Sequence, residues 1–357
     1  MRSSTGWNVR DAAATRLPAP LAHHAPGDGR AAPRTAMSAD LEESTMTTTE
    51  ARPGMVWIPG GQFTMGSDDH YPEERPAHPV HVDGFLADVH AVTNRQFAEF
   101  VADTGHVTVA ERAPHPASYP GVDPADLVPG ALVFQGTDGP VDLTDYRLWW
   151  RFVPGACWRH PEGPGSDVED RQDHPVVQVA YADALAYARW AGKSLPTEAQ
   201  WEYAARGGLD GTPYAWGDEF TPDGQVMANT WHGRFPWENL APAGFRGTAP
   251  VESFPPNGFG LYEVCGNVWE WTRDLYTARH PAPTQSCCAP PDPRRNPRGG
   301  DLRGSLDSDT GLPRRVVKGG SWLCAPSYCL RYRPAARQPQ SIDTATNHMG
   351  LRCVGKP

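Results

Sequence analysis

Lys318-Gly319-Gly320-Ser321-Trp322-Leu323-Cys324-Ala325-Pro326-Ser327-Tyr328-Cys329-Leu330-Arg331 is the stretch on which the reading of this chain turns. Pro326 forbids a regular helix through it, and the spacing of its two cysteines faces opposite sides of a strand. The chain must therefore turn for the sulfurs to meet, and Gly319, Gly320 and Pro326 allow irregular paths. Two thiolates with no third ligand nearby can form a disulfide or a linear site for a soft monovalent ion, Cu(I) above all. They can also be two unrelated buried thiols. The residues alone leave these readings open.

The chain's other cysteines do not extend the pair. Cys157, Cys265, Cys287, Cys288 and Cys353 bring the total to seven. An odd count, no secretory signal and no Asn-x-Ser/Thr acceptor argue for a reducing compartment, and so for a cytoplasmic protein. Structural zinc needs four ligands, and Cys324-x4-Cys329 has no second ligand pair to match it. Cys287 and Cys288 are adjacent in a proline-rich stretch and read as incidental.

The 357 residues carry a formal charge of -10, which argues against nucleic acid as the main partner. No apolar run approaches the ~18 residues of a membrane helix, so no membrane association is expected. Thirteen tryptophans require an interior. Residues 1–50 lack hydrophobic periodicity and read as a disordered tail or a misplaced start, leaving 51–357 as one folded domain.

Order begins with a strand from Met55 into Gly60-Gly61, and a second strand reads His78 to Phe85. His78 and His81 face opposite sides of that strand and form no metal pair. Three helices are legible. Thr93 and Gln96 form a capping box closed by Gly105, and Asp183 caps a helix that Gly192 ends. Thr197 and Gln200 cap a third, ending at Gly207. Residues 209–357 read as short strands and turns, and 112–145 and 278–312 as surface loops. The economical fold class is a single α+β domain.

Several blocks resemble the formylglycine-generating enzymes, the sulfatase-modifying oxidases. They include Pro59-Gly60-Gly61-Gln62-Phe63-Thr64-Met65-Gly66, Leu195-Pro196-Thr197-Glu198-Ala199-Gln200-Trp201-Glu202 and Gly266-Asn267-Val268-Trp269-Glu270-Trp271. Gly319-Gly320-Ser321-Trp322 and Gly350-Leu351-Arg352 complete the pattern, which spans about 55 to 354. The superfamily includes members that are not oxidases, and the Ser-x2-Cys-x4-Cys arrangement is the discriminating feature.

The resemblance implies a C-type-lectin-like domain with little regular secondary structure. It implies O2-consuming oxidation of a cysteine in a Cys-x-Pro-x-Arg segment of an unfolded sulfatase to Cα-formylglycine, by a monomer. Cys324 and Cys329 would bind Cu(I), with the substrate cysteine as a third sulfur. Ser321, Trp269 and Tyr328 match positions lining the copper and oxygen pocket. His348 lies near the site, and Trp149 flanks the peptide groove.

The resemblance also implies two structural Ca2+ sites. One comprises Glu263, the carbonyls of Gly266 and Val268, and Glu270. The other comprises Asn229, the Thr230 carbonyl and the Phe245 carbonyl, with Ala243 where an Asp is usual. One firm site and one weak site are the expectation.

Departures from the family pattern are informative. Ala188, Ala205 and Pro334 stand where secretory relatives carry extra structural disulfides, so Cys353 loses its partner. Cys324-Ala325-Pro326-Ser327-Tyr328 imitates the substrate motif, but Tyr328 replaces the arginine and self-modification is not expected. Two other readings remain: a non-catalytic lectin-like binding module, and an iron-dependent enzyme resembling the sulfoxide synthases.

Overall fold

The computed structural model describes residues 52–357 apart from 117–120, 122, 281–293, 296, 298 and 309. The expected tail and the loop cysteines Cys287 and Cys288 lie outside the described residues. Strands β1 (Met55–Ile58), β2 (Gly61–Met65), β3 (His78–Val82) and β4 (Phe85–Asp88) open the domain. The strand expected from His78 to Phe85 is two strands. The chain turns at Asp83-Gly84, where a Cβ on Gly84 would collide with the Trp57 ring. β2 pairs with β3 and β1 with β4, both antiparallel. His78 is buried and His81 partly exposed, as alternation requires.

α1 (Asn94–Thr104) starts where the capping box places it. Thr93 Oγ1 accepts from Gln96 N, Gln96 Oε1 accepts from Thr93 N, and Gly105 closes the helix at φ 65°. A hairpin of β5 (Gly130–Phe134) and β6 (Trp150–Pro154) follows, the first strand inside a stretch expected as loop. Its inward residues Ala131 and Val133 are too few and too small to stand out as a two-residue period.

α2 (Tyr181–Trp190) starts at cap residue Ala180, with Asp183 inside the first turn. The Asp183 carboxylate still reaches back to the Ala180 N–H at 3.0 Å. α3 (Glu198–Arg206) has the expected Thr197–Gln200 box and Gly207 stop. Then come β7 (Trp269–Leu275), β8 (Arg294–Arg295), α4 (Leu302–Ser305), β9 (Arg314–Lys318), β10 (Arg337–Ser341), β11 (Met349–Gly350) and β12 (Val354–Gly355). The largest sheet has the order β10-β9-β7-β11. Among the described residues, no helix is long and apolar enough to cross a membrane.

A buried ionic network locks α3 onto this sheet. Lys318 Nζ, at the end of β9, lies 3.0 Å from Glu202 Oε2, and Arg337 pairs with Glu198 at 2.6 Å. Arg206 holds the other Glu202 oxygen at 2.8 Å. Buried charges are tolerable only when paired in this way, and losing one partner costs ~3–5 kcal/mol. The network fixes the end of β9, from which the two-cysteine segment departs.

Candidate active site

Gly319 and Gly320 follow β9 at φ 92° and 71°, conformations that favour glycine. A Cβ would lie 2.8 Å from the Val264 carbonyl at the first and 2.8 Å from the Arg331 carbonyl at the second. The two glycines thus let the chain leave the sheet against backbone on both sides. A tight turn follows, in which Tyr328 N and Cys329 N both donate to the Ala325 carbonyl, at 3.0 and 2.7 Å. That turn brings Cys324 Sγ and Cys329 Sγ to 3.2 Å, both buried.

The two thiols differ electrostatically. Hydrogen bonding from Cys324 lowers the Cys329 pKa against the opposing effect of burial, and Arg331 helps. Burial and the bond to Cys329 raise that of Cys324. One sulfur donates a hydrogen bond to the other across the 3.2 Å contact. The Ser321 N–H donates to Cys324 Sγ at 3.4 Å, and Ser321 Oγ accepts from Leu323 N at 3.3 Å.

The other expected residues divide into near and remote. Tyr328 is partly buried, stacked on Phe235 with centroids 4.4 Å apart. Trp149 meets Tyr328 edge-on at 5.6 Å. It is 1% exposed and backs the tyrosine. Trp269 shares the main core with both cysteines, and its Nε1 is a buried donor without an acceptor. His348 is buried against Trp150 at 4.9 Å, with Nδ1 2.8 Å from Thr346 Oγ1. Burial lowers its pKa to about 3, so the imidazole is neutral.

The proposed calcium ligands already have partners. Glu263 accepts from Glu252 N and Phe254 N at 3.0 and 3.1 Å. Glu270 is paired with Arg352 at 3.0 Å and accepts from Trp201 Nε1 at 2.6 Å. The Asn229 amide donates to the Gly247 carbonyl and to Asn267 Oδ1. As placed, these side chains tie neighbouring segments of the fold together.

The sequence reading missed Phe235, Tyr71 and Glu73. Leu330 N donates to Tyr71 Oη at 3.0 Å, and Arg331 Nη2 lies 2.6 Å from Glu73 Oε1. A signal was present in Glu73-Glu74 and Arg331-x-Arg333, but nothing in sequence brings such distant segments together.

The donor set suits a soft, low-coordinate ion. Among the described residues, no group of three or more His, Cys, Asp or Glu side chains could hold a metal ion. The two sulfurs stand alone, as Cu(I) tolerates and zinc does not.

Fold and site together define a C-type-lectin-like domain carrying a buried dithiol centre. The profile of the sulfatase-modifying factor enzyme 1-like domain matches residues 41–357, and the chain belongs to that family. It is 58% identical over 305 residues to the formylglycine-generating enzyme of Mycobacterium tuberculosis, covering 85% of this chain and 98% of that one. It is 47% identical over 324 residues to the enzyme of the same name from Thermomonospora curvata, covering 90% and 99%. The structure of PvdO from Pseudomonas aeruginosa superimposes with a TM-score of 0.57 at 22% identity, over 85% of this chain and 94% of that one. At that identity the likeness speaks for the fold alone.

Proposed function

We propose that this chain is a formylglycine-generating enzyme that oxidises a cysteine of a sulfatase polypeptide to Cα-formylglycine. The observation that carries this reading is the buried Cys324–Cys329 pair at 3.2 Å. Its finer terms are O2 as oxidant, a Cys-x-Pro-x-Arg segment as substrate and Cu(I) held by the two sulfurs. Copper would supply the one-electron chemistry between thiol and dioxygen.

The chain's own residues do the rest. Pro326 and Ser327, in the turn between the two cysteines, are exposed, and a peptide thiol would approach the buried pair from this side. Phe235 and Trp149 pack against Tyr328, and the Ser321 N–H donates to the Cys324 sulfur. The Trp269 indole N–H, buried in the same core as the sulfurs and without an acceptor among the described residues, would donate to a polar guest. Neutral His348 packs against Trp150 and is proposed as a residue of the site. Removal of two electrons and two protons turns the substrate CH2–SH into a thioaldehyde, with O2 taking the electrons. Water then replaces sulfur, releasing hydrogen sulfide.

The reading extends to a monomer acting in the cytoplasm on an unfolded polypeptide. Cys157, Cys265 and Cys353 are free and buried, which suits a reducing compartment. Calcium is proposed as a structural ligand only, firm at Glu263 and Glu270 and weak at Asn229, Thr230 and Phe245. Binding at the firm site would have to draw Glu270 from Arg352, and no step of the reaction depends on it. Incubating the reduced, copper-loaded protein with a Cys-x-Pro-x-Arg peptide in air tests the reading, with mass spectrometry detecting the aldehyde.

A further inference from the structure

The hairpin of β5 and β6 is covered along one edge and open along the other. In an antiparallel pair, every second residue turns its N–H and C=O toward the partner strand. Gln135 N donates to the Trp149 carbonyl at 2.8 Å and Gly155 N to the Pro129 carbonyl at 3.0 Å, which fixes the alternation. With Leu132 opposite Phe152, Arg151 and Val153 face β5, while Trp150 and Phe152 turn their backbone groups away from it. The outward groups of β5 are taken. Leu132 N donates to the Ala345 carbonyl at 3.2 Å, and Phe134 N to Asn347 Oδ1 at 3.1 Å. Among the described residues, nothing hydrogen-bonds to the outward N–H and carbonyl of Phe152. Its side chain is 46% exposed and lies across Gly130, where a Cβ would come 2.8 Å from the ring. Open strand backbone beside an apolar side chain is an edge suited to receiving another strand.

This edge begins at the candidate site. Trp149, the residue before β6, meets Tyr328 edge-on at 5.6 Å, and Tyr328 precedes Cys329. Three residues of strand carry Phe152 about 10 Å beyond Trp149. An unfolded segment containing Cys-x-Pro is suited to such an edge, because the residue before a proline is held to extended conformations. We propose that the sulfatase polypeptide docks by adding a strand to the free edge of β6. Phe152 N–H and C=O pair with one flank of the Cys-x-Pro-x-Arg segment, and the Phe152 ring covers an apolar side chain of that flank. This rests on the function proposed above and extends recognition beyond the five-residue motif.

The test is fluorescence anisotropy with labelled peptides and the reduced, metal-free, full-length protein, so that binding is read without turnover. One peptide is Ser-x-Pro-x-Arg, with serine for the target cysteine. The other carries about six further residues on each side, ~20 Å of strand per flank. The longer peptide should bind about tenfold more tightly, the scale of one or two backbone hydrogen bonds. N-methylation of single amides along one flank should cancel that gain at every second position and spare those between. Phe152→Ala should lose affinity for the longer peptide and keep parental affinity for the shorter one.

Equal affinity for the two peptides would overturn the docking proposal and leave the proposed function standing. A gain with no alternation along either flank would overturn it as well, since that marks side-chain contacts alone. The methylation series needs no variant and decides the matter should Phe152→Ala fail to fold. If the parent binds neither peptide, the proposed function and the docking fail together.

Discussion

Tyr328 lies flat on Phe235, their ring centroids 4.4 Å apart and their planes 3° from parallel. Phe235 also meets Trp149 and Trp231 edge-on at 5.4 and 5.2 Å. The tyrosine one residue before Cys329 is thereby held by an aromatic wall from a distant loop. Phe235→Leu should cost ~1–2 kcal/mol of stability through lost aromatic packing. With Tyr328 released, KM for the peptide should rise more than kcat falls. Denaturant unfolding and steady-state kinetics read the two effects separately.

Acid should weaken the fold. Burial opposes ionisation of Glu202, but Lys318 and Arg206 prevail and bring its pKa from 4.5 to about 2. That contribution is present above pH 4.5 and lost as pH falls toward 2. His280 and His348 are buried and lowered from 6.5 to about 3, so their contribution is lost as pH falls through that interval. Asp274 acts in the opposite sense, because burial and Glu198 raise its pKa from 3.8 to about 6. It favours the fold below pH 3.8 and loses that benefit as pH rises through about 6. Urea midpoints should fall with decreasing pH, and Asp274→Asn should steepen the fall between pH 3.8 and about 6.

Much of this architecture was legible in the sequence. The Thr93–Gln96 and Thr197–Gln200 boxes located two helices because capping is local chemistry. Asp183 was misplaced by three residues because the same carboxylate can cap from within the first turn. The β5 strand was invisible because Ala131 and Val133 carry little apolar signal. The cysteine pair was singled out by the family resemblance, since its spacing alone left the reading open, but Phe235, Tyr71 and Glu73 come near it only through tertiary packing. Trp149, expected beside a peptide groove, is buried against Tyr328.

Calcium should act as a structural ligand. The cost of the firm site is set by the 3.0 Å Arg352–Glu270 ion pair, from which the ion must take oxygen. Calorimetry on chelator-treated protein should show one tight Ca2+ and a raised Tm, abolished in Glu263→Gln. Two equally tight sites would contradict the expected weakness where Ala243 offers no carboxylate. No binding would mean that Arg352 is the lasting partner of Glu270.

A chain beginning at Met46 should keep its Tm and its activity. The first fifty residues carry no hydrophobic periodicity and none of the family's motif blocks. Differential scanning calorimetry and the peptide assay compare the two lengths, and a large loss in either would show that this region docks on the domain.

The most direct measurement is mass spectrometry of a Cys-x-Pro-x-Arg peptide after aerobic incubation with Cu(I)-loaded protein, run beside Cys324→Ser and Cys329→Ser. The account predicts conversion of thiol to aldehyde by the parent and none by either variant, because each leaves a single sulfur. Full conversion by Cys324→Ser would contradict it.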